Sequence, residues 1–408
     1  MRIDLQRLME TINTSAAMGA TENGGLHRLT LANEDTEMRG TFVHWLETAG
    51  LEVTVDDFGN IYGRREGTNP DLSPVVIGSH LDTQPYGGKY DGVIGVLAAL
   101  EVIRTLNDED IKTERPIVIV NFTNEEGARF TPPLLGSGAV IGDLSKTTVY
   151  DTKDAEGTRF ETALYESGYQ GEEVHRLREA HAFVELHIEQ GPVLEQKQKS
   201  IGVVQGIQGL AWLTVHVKGE ADHAGTTPMS GRKDALVAAS AMVTALSRYA
   251  ASVEELVITV GTLQVAPSAP NVVPSDAAFT IDMRHPDDHM RKGVPMAIRK
   301  IIADTSKMYN VDFELETKYQ AETVHFPERI QNVLLKETSS LEYESEKFYS
   351  GASHDAKNMS SIAETGMIFV PSVNGKSHHE EEYTNDADIE KGANVLLRAT
   401  KRLADENE

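Results

Sequence analysis

The 408 residues exceed what one hydrophobic core usually organises, and 40% hydrophobic with 25% charged side chains is the composition of an ordinary globular protein, so two domains are expected. Lysine and arginine total 38 against 63 aspartates and glutamates, and the formal charge of -25 repels phosphate backbones and anionic membranes, which removes nucleic acid and membranes from the expected partners. There is no cysteine, which excludes disulfides, thiolate metal sites and any thiol nucleophile and leaves histidine and carboxylates to bind a metal.

The N-terminal MRIDLQRLMETINTSA mixes charged and apolar residues without the apolar core of a signal peptide, and a cytoplasmic protein is expected. Apolar residues at helical spacing predict helices over 4–13 and 34–49, the second introduced by Asn33 and closed by Gly50. LEVTVDD and NIYGRRE read as short strands. PVVIGSH and PIVIVNFTN are nearly all apolar, as in strands buried on both faces, and GVIGVLAALEVIRTLN between them reads as the crossover helix of a parallel βαβ unit. After residue 208 the texture changes: LAWLTVHVKG, the helix KDALVAASAMVTALSRYA, the strands ELVITVGTLQV and AAFTIDMRH, a helix from about 287 to 308 and a closing VDFELETKY. That β-α-β-β-α-β order is a split βαβ sandwich, placed at 209–323. Helical and strand patterns resume from 328 to 401 with the apolar run MIFVPS, so residues 1–208 and 324–408 are expected to form one α/β domain. Its sheet is expected to be mixed, largely parallel and flanked by helices, with the α+β sandwich inserted.

Several polar groups follow the apolar strands. His80 closes the strand in GSHLDT, and Asp82 two residues on would fix its tautomer; a lone HxD equally serves a structural histidine. Asp91 opens the crossover helix in GGKYDGVIG among Gly87, Gly88 and Gly92, as a ligand or as a helix cap. FTNEEGARF sets Glu125 and Glu126 side by side at a strand end, where one can bind metal while the other moves protons, the alternative being a solvated acidic pair. FVELHIEQG supplies His187 beside Glu189 and Gln190, and GKSHHEEEYT supplies His378 and His379. Together, three histidines and two or three carboxylates at strand ends suit a pair of divalent ions with nitrogen and oxygen ligands.

The ordered series GSHLDTQPYGGKYDG, NEEGARF, ELHIEQGPVLE, DHAGTTPM, PNVVP, DMRHP, SGASHDA and SHHEEEY runs over nearly the whole chain. It resembles the M20 metallopeptidase-like superfamily and, within it, the hydantoinase/carbamoylase branch of amidases. The resemblance implies an M20-like fold with two divalent ions, zinc, manganese, cobalt or nickel, bridged by Asp91 and completed by His80, His187, Glu126 and His378. Glu125 is then the general base and Asp82 belongs to the catalytic set. His378 is preferred to His379 because the family's ligand stands four residues before a glutamate often followed by an aromatic, here Glu382 and Tyr383.

The same resemblance makes 209–323 a lid and dimerisation domain. His223 and Asn271 would stabilise an oxyanion, His223 reaching the other subunit of a homodimer, and Arg284 would grip a substrate carboxylate. By residue type alone, Arg284 could be a surface ion pair, Asn271 a turn residue and His223 a loop cap. Gln190, Gly351 and Ala352 are implied as substrate contacts, Gln190 with orientation of the metal site as the alternative. Two departures from the family stand out: His379, Glu380 and Glu381 occupy a stretch that usually contains proline, and Ser353 replaces a more familiar glycine or alanine. The implied reaction removes the carbamoyl group of a small-molecule ureido carboxylate, an N-carbamoyl-L-α-amino acid or N-carbamoyl-β-alanine, to give the amino acid, carbon dioxide and ammonia. Allantoate hydrolysis is the alternative, an M20 dipeptidase or aminoacylase a broader one. A non-catalytic protein on this fold is disfavoured by Glu125 standing beside all the implied ligands.

Overall fold

A computed structural model describes residues 1–406. The chain divides into two compact units, Met1–Gly206 with His325–Glu408 and Ile207–Val324.

Among the described residues the first unit is built on a nine-stranded mixed sheet. Its strands include, in spatial order, Glu52–Val55, Ile61–Arg65, Ile117–Phe122, Val75–His80, Ala182–Ile188, Glu364–Val370 and Ile201–Ile207. The middle four pair in parallel, and the strands flanking them pair antiparallel. These four are almost wholly buried, which explains their unbroken apolar sequence. Ser345–Ser350 pairs with Ile201–Ile207 off the main path. The crossover helix Val93–Asp108 is apolar on nearly every side because helices Leu5–Ser15 and Asp386–Ala404 also pack on it. It lies so close to the sheet that a Cβ on Gly95 would stand 2.5 Å from the Leu186 carbonyl oxygen.

The second unit is an antiparallel sheet in the order Leu263–Ala266, Asp276–His285, Gly209–Lys218, Asp312–Ala321. The two central strands alternate buried and exposed side chains, and Leu213, Val215, Phe279 and Ile281 meet Met242 and Ile298 from helices Ala235–Ala250 and Asp288–Tyr309.

Two local expectations are corrected. Asn33 is the first residue of helix Asn33–Thr48, not its cap; Ala32 holds the extended cap position without a side-chain bond, and acidic Glu34 and Asp35 complement the first turn instead. The run ELVITVGTLQV is not one strand but Val257–Thr259 and Leu263–Ala266, both paired to Asp276–His285. Val260, Gly261 and Thr262 stand opposite only Ile281 and Thr280, so one residue too many interrupts the ladder.

Within helix Asn33–Thr48, Arg39 and Asp35 form a buried i,i+4 ion pair, Nε to Oδ2 at 2.7 Å. Arg39 also donates to the Gly59 carbonyl at 2.7 Å and the Thr123 hydroxyl at 3.2 Å, two residues before Glu125. Arg39→Met strands the Asp35 charge and is expected to cost about 3–5 kcal/mol of stability. A urea titration measures this, and a loss below about 1 kcal/mol would contradict the role given to the pair.

Candidate metal centre

The carboxyl ends of the four parallel strands converge, and this is where an open α/β sheet leaves a crevice for ligands. His80 ends its strand with Nδ1 2.9 Å from the backbone oxygen of Asp82. That bond places the ring proton on Nδ1 and leaves Nε2 as a bare lone pair, buried and without a hydrogen-bond partner. Nε2 lies 3.5 Å from Glu125 Oε2 and 3.8 Å from Asp91 Oδ1. His187 is held the same way, Nδ1 2.9 Å from the Ile188 oxygen, with Nε2 3.1 Å from Asp91 Oδ1.

Asp91 does not cap the crossover helix with its side chain. Its Oδ1 faces His80 and His187, while Oδ2 lies 3.3 Å from His378 Nε2 and accepts from Gln190 Nε2 at 2.8 Å. Glu126 Oε2 is 3.6 Å from the same His378 nitrogen. Two triads thus share Asp91: His80, Asp91 and His187, and Asp91, Glu126 and His378, each with ligand atoms within 4.8 Å of one another. Glu125 and Glu126 point to different triads, and Asp82 fixes both. Its carboxylate accepts from the Glu125 amide at 3.3 Å, the Glu126 amide at 3.4 Å and the Thr30 hydroxyl at 2.8 Å. The expected carboxylate-to-His80 contact is therefore replaced: the Asp82 carbonyl sets the tautomer, and its carboxylate, 3.8 Å from the ring, orders the two glutamates.

Electrostatics argue for cations here. Burial pushes Glu125 well above the usual carboxylate range, helped by Asp355, Glu126, Asp91 and Asp82. Burial and the charge of Asp91 raise Glu126 to about 8 and Glu382 to about 7. Against burial, Asp91 raises His187 to about 9, and its hydrogen bond also raises His378 to about 9. Yet the Gly92 amide donates to His187 Nε2 at 3.1 Å, which asks for a lone pair at the atom where Asp91 favours a proton. Divalent ions with nitrogen and oxygen ligands satisfy the bare His80 nitrogen, the His187–Asp91 contact and the packed carboxylates together. The donor set fits such ions. Gly92, at φ 66°, leaves the room: a Cβ there would stand 2.2 Å from His80 Nε2.

Gln190 spends its amide nitrogen on Asp91 and leaves Oε1 buried without a partner. His379 lies outside both triads, its Nδ1 accepting from the Glu381 amide at 3.1 Å. Gly351 and Ala352 follow strand Ser345–Ser350, and the Ala352 amide donates to Ser350 Oγ at 3.1 Å.

In the second unit, the ribbon pairing Asp222–His223 with Val272–Val273 brings His223 beside Asn271, whose carbonyl accepts from Ala224 N at 3.0 Å. His223 Nδ1 accepts from the amides of Gly225 and Thr226 at 3.1 and 3.2 Å, so its ring proton sits on Nε2 as a donor. Arg284 is forked onto Asp282, at 3.0 and 2.8 Å.

Sequence reasoning passed over several groups. Glu382, used only as a spacing marker, accepts from the amides of Tyr90 and Asp91 at 3.2 and 3.1 Å and lies 3.0 Å from Ser377 Oγ. Glu185, raised to about 6 by burial, accepts from Ser79 at 2.6 Å. His354 packs edge-on against His187 with ring centroids 4.4 Å apart, and Asp355 accepts from Ser137 at 2.5 Å. The signals were present: Glu185 stands two residues before His187 in an otherwise apolar strand, and His354 and Asp355 lie within SGASHDA.

Comparison with known proteins supplies a family context. Residues 76–402 match the model of peptidase family M20/M25/M40. The chain is 39% identical to an N-carbamoyl-L-amino-acid amidohydrolase of Rhizobium meliloti, over 99% of this chain and 97% of that one. It is 33% identical to an allantoate amidohydrolase of Bacillus subtilis, over 97% of each. The crystal structure of a hydantoinase/carbamoylase family amidase from Burkholderia multivorans superposes with a TM-score of 0.96 at 41% identity, covering 100% of this chain and 99% of that one.

Gly92→Ala pushes a methyl into the His80 nitrogen and is expected to weaken divalent-ion binding at least about tenfold with the circular dichroism spectrum unchanged. Competition with a chromophoric chelator reads this, and undiminished affinity would contradict the placement of His80.

Proposed function

The chain belongs to peptidase family M20/M25/M40, and on that premise we propose that it is a metal-dependent amidohydrolase that removes the carbamoyl group of N-carbamoyl amino acids. The products are the amino acid, carbon dioxide and ammonia. The observation that carries this reading is Asp91, whose two carboxylate oxygens face two separate His-carboxylate groups with Glu125 beside them. Full-length relatives that are N-carbamoyl-L-amino-acid amidohydrolases, at 36–39% identity, support the substrate class. Allantoate is kept as a second reading because allantoate amidohydrolases also match over nearly the whole chain.

One ion is assigned to His80, His187 and Asp91, the other to Asp91, Glu126 and His378, and zinc, manganese, cobalt and nickel all suit these ligands. When bound, such a pair supplies Lewis acidity and a nucleophile at neutral pH. Glu125, whose buried carboxyl holds a proton readily, accepts the proton released on attack at the ureido carbonyl and returns it to the leaving nitrogen. Cleavage leaves a carbamate, which breaks down to carbon dioxide and ammonia. Asp82 keeps the Glu125 backbone fixed through that exchange. From the family resemblance, and with donors of suitable type, His223 Nε2 and the Asn271 amide are assigned to the developing oxyanion, and Arg284 as the fork for the substrate carboxylate in place of Asp282. Gln190, Gly351 and Ala352 remain candidate substrate contacts, and a two-fold homodimer is part of the proposal, supported by the family resemblance alone.

Ammonia release by the manganese-, zinc- or cobalt-loaded protein is measured on N-carbamoyl-L-amino acids, N-carbamoyl-β-alanine, allantoate and dipeptides, with a chelated control. Chelator-sensitive ammonia from an N-carbamoyl amino acid is expected. Activity confined to allantoate selects the second reading, and cleavage of dipeptides alone refutes both. Glu125→Gln is expected to lower kcat about 10²–10⁴-fold with metal content unchanged; near-normal turnover would remove it as the base. Arg284→Lys is expected to cost about 1.5–3 kcal/mol in kcat/KM for carboxylate substrates, because a fork becomes a point charge. Unchanged kinetics would return Arg284 to a surface ion pair.

A further inference from the structure

His80, Asp91 and His187 are 1%, 4% and 1% exposed, whereas the His378 side chain is 49% exposed and stands on a loop at φ 53°. A ligand on such a loop binds weakly if the loop must be ordered at the moment of binding. Two sets of contacts order it beforehand. On the inner side Ser377 Oγ lies 3.0 Å from both Asp91 Oδ2 and Glu382 Oε2. On the outer side the Glu380 carboxylate accepts from the Thr21 hydroxyl at 2.5 Å and from Asn23 Nδ2 at 2.9 Å.

Thr21 and Asn23 belong to a segment that is itself anchored beside His80. Thr21 and Gly25 close a small loop, the Thr21 amide donating to the Gly25 carbonyl and the Gly25 amide to the Thr21 hydroxyl, both at 3.0 Å. Leu26 and Gly87 exchange backbone hydrogen bonds at 2.9 Å, the Thr83 amide donates to the Arg28 carbonyl at 2.9 Å and the Arg28 amide to the Thr83 hydroxyl at 3.0 Å. The fully buried Arg28 side chain donates to the carbonyl of Leu81, next to His80, at 2.8 Å and to that of Ser15 at 2.9 Å. Thr30 donates to Asp82. The same ten residues therefore touch the loop after His80 at four points and the loop bearing His378 at Glu380.

We propose that the segment from Thr21 to Thr30 is a brace joining the two ligand-bearing loops, and that Glu380 is a positioning residue that holds His378, and through it one ion, in place. The proposal rests on the two-ion reading above. The Glu380 carboxylate is engaged by Thr21 and Asn23, and Glu380 stands two residues after His378, so its action runs through the backbone of that loop.

The test separates position from charge. Thr21→Val with Asn23→Ala removes both donors without altering any charge near the ions, whereas Glu380→Ala removes the acceptor together with its charge. The full-length protein, stripped by chelator and desalted, is titrated with manganese by calorimetry, and melting temperatures are recorded alongside. The neutral pair of substitutions is expected to weaken one of two binding steps about tenfold and leave the other and the melting temperature unchanged. Adding Glu380→Ala to the pair is then expected to lose no more than Glu380→Ala alone, since the contact is already gone. Wild-type affinity for both ions in the neutral variant overturns the brace and leaves the two-ion reading standing. Equal weakening of both steps with a lowered melting temperature also overturns it, as general loosening. A wild-type protein that takes up fewer than two ions overturns the two-ion reading and the brace with it.

Discussion

Carboxylates crowded out of water repel one another and resist ionisation, and the first unit is arranged around that cost. Asp82, Asp91 and Glu125 in the loops after strands, Glu185 within strand Ala182–Ile188 and Asp355 at the start of helix Asp355–Met359 are all buried, as are His80, His187 and His354. Burial raises Glu125, Asp82 and Asp355 above their ordinary range and lowers His80 and His354, so neither sign of charge is stable there without a partner. Backbone groups satisfy the outer nitrogens and oxygens: the Asp82 and Ile188 carbonyls on the histidines, the Tyr90 and Asp91 amides on Glu382. What they leave open is an inward set of nitrogen and oxygen atoms around Asp91 that could hold metal.

The fold makes that set by geometry rather than by local sequence. Four parallel strands end on one side, the crossover helix lies tight on the sheet at Gly95, and Gly92 lets the chain pass His80 Nε2 without a side chain. Buried arginines then fix the connecting loops: Arg39 reaches Thr123 before Glu125, and Arg28 reaches Leu81 after His80. The site is stiff at its base, whereas His378 comes from a half-exposed loop.

Much of this was legible in the residues. Unbroken apolar runs marked the buried parallel strands, and glycines and adjacent carboxylates marked the turns after them. Asp91 stayed ambiguous between cap and ligand because both readings use the same place in sequence; only the absence of a side-chain cap bond and the approach of three histidines separates them. Asp82 was misassigned in detail because spacing shows that a carboxylate is near a histidine but not whether its carbonyl or its side chain makes the bond. Glu185 was visible as a carboxylate in an apolar run and His354 and Asp355 as part of SGASHDA, yet their partners Ser79, His187 and Ser137 are far away in the chain. The interruption at Gly261 was hidden between Val260 and Thr262, both good strand formers.

The second unit contributes a different kind of information. Its ribbon sets His223 and Asn271 side by side and fixes the histidine as an Nε2 donor, while Arg284 is presented with a carboxylate already in its fork. These are the residue types that recognise an oxyanion and a carboxylate. The central claim is nonetheless the shared Asp91. The most direct measurement is an anomalous difference map from crystals grown with manganese. Two peaks are expected, one bounded by His80, His187 and Asp91 and the other by Asp91, Glu126 and His378; a single peak, or peaks that do not share Asp91, would contradict it.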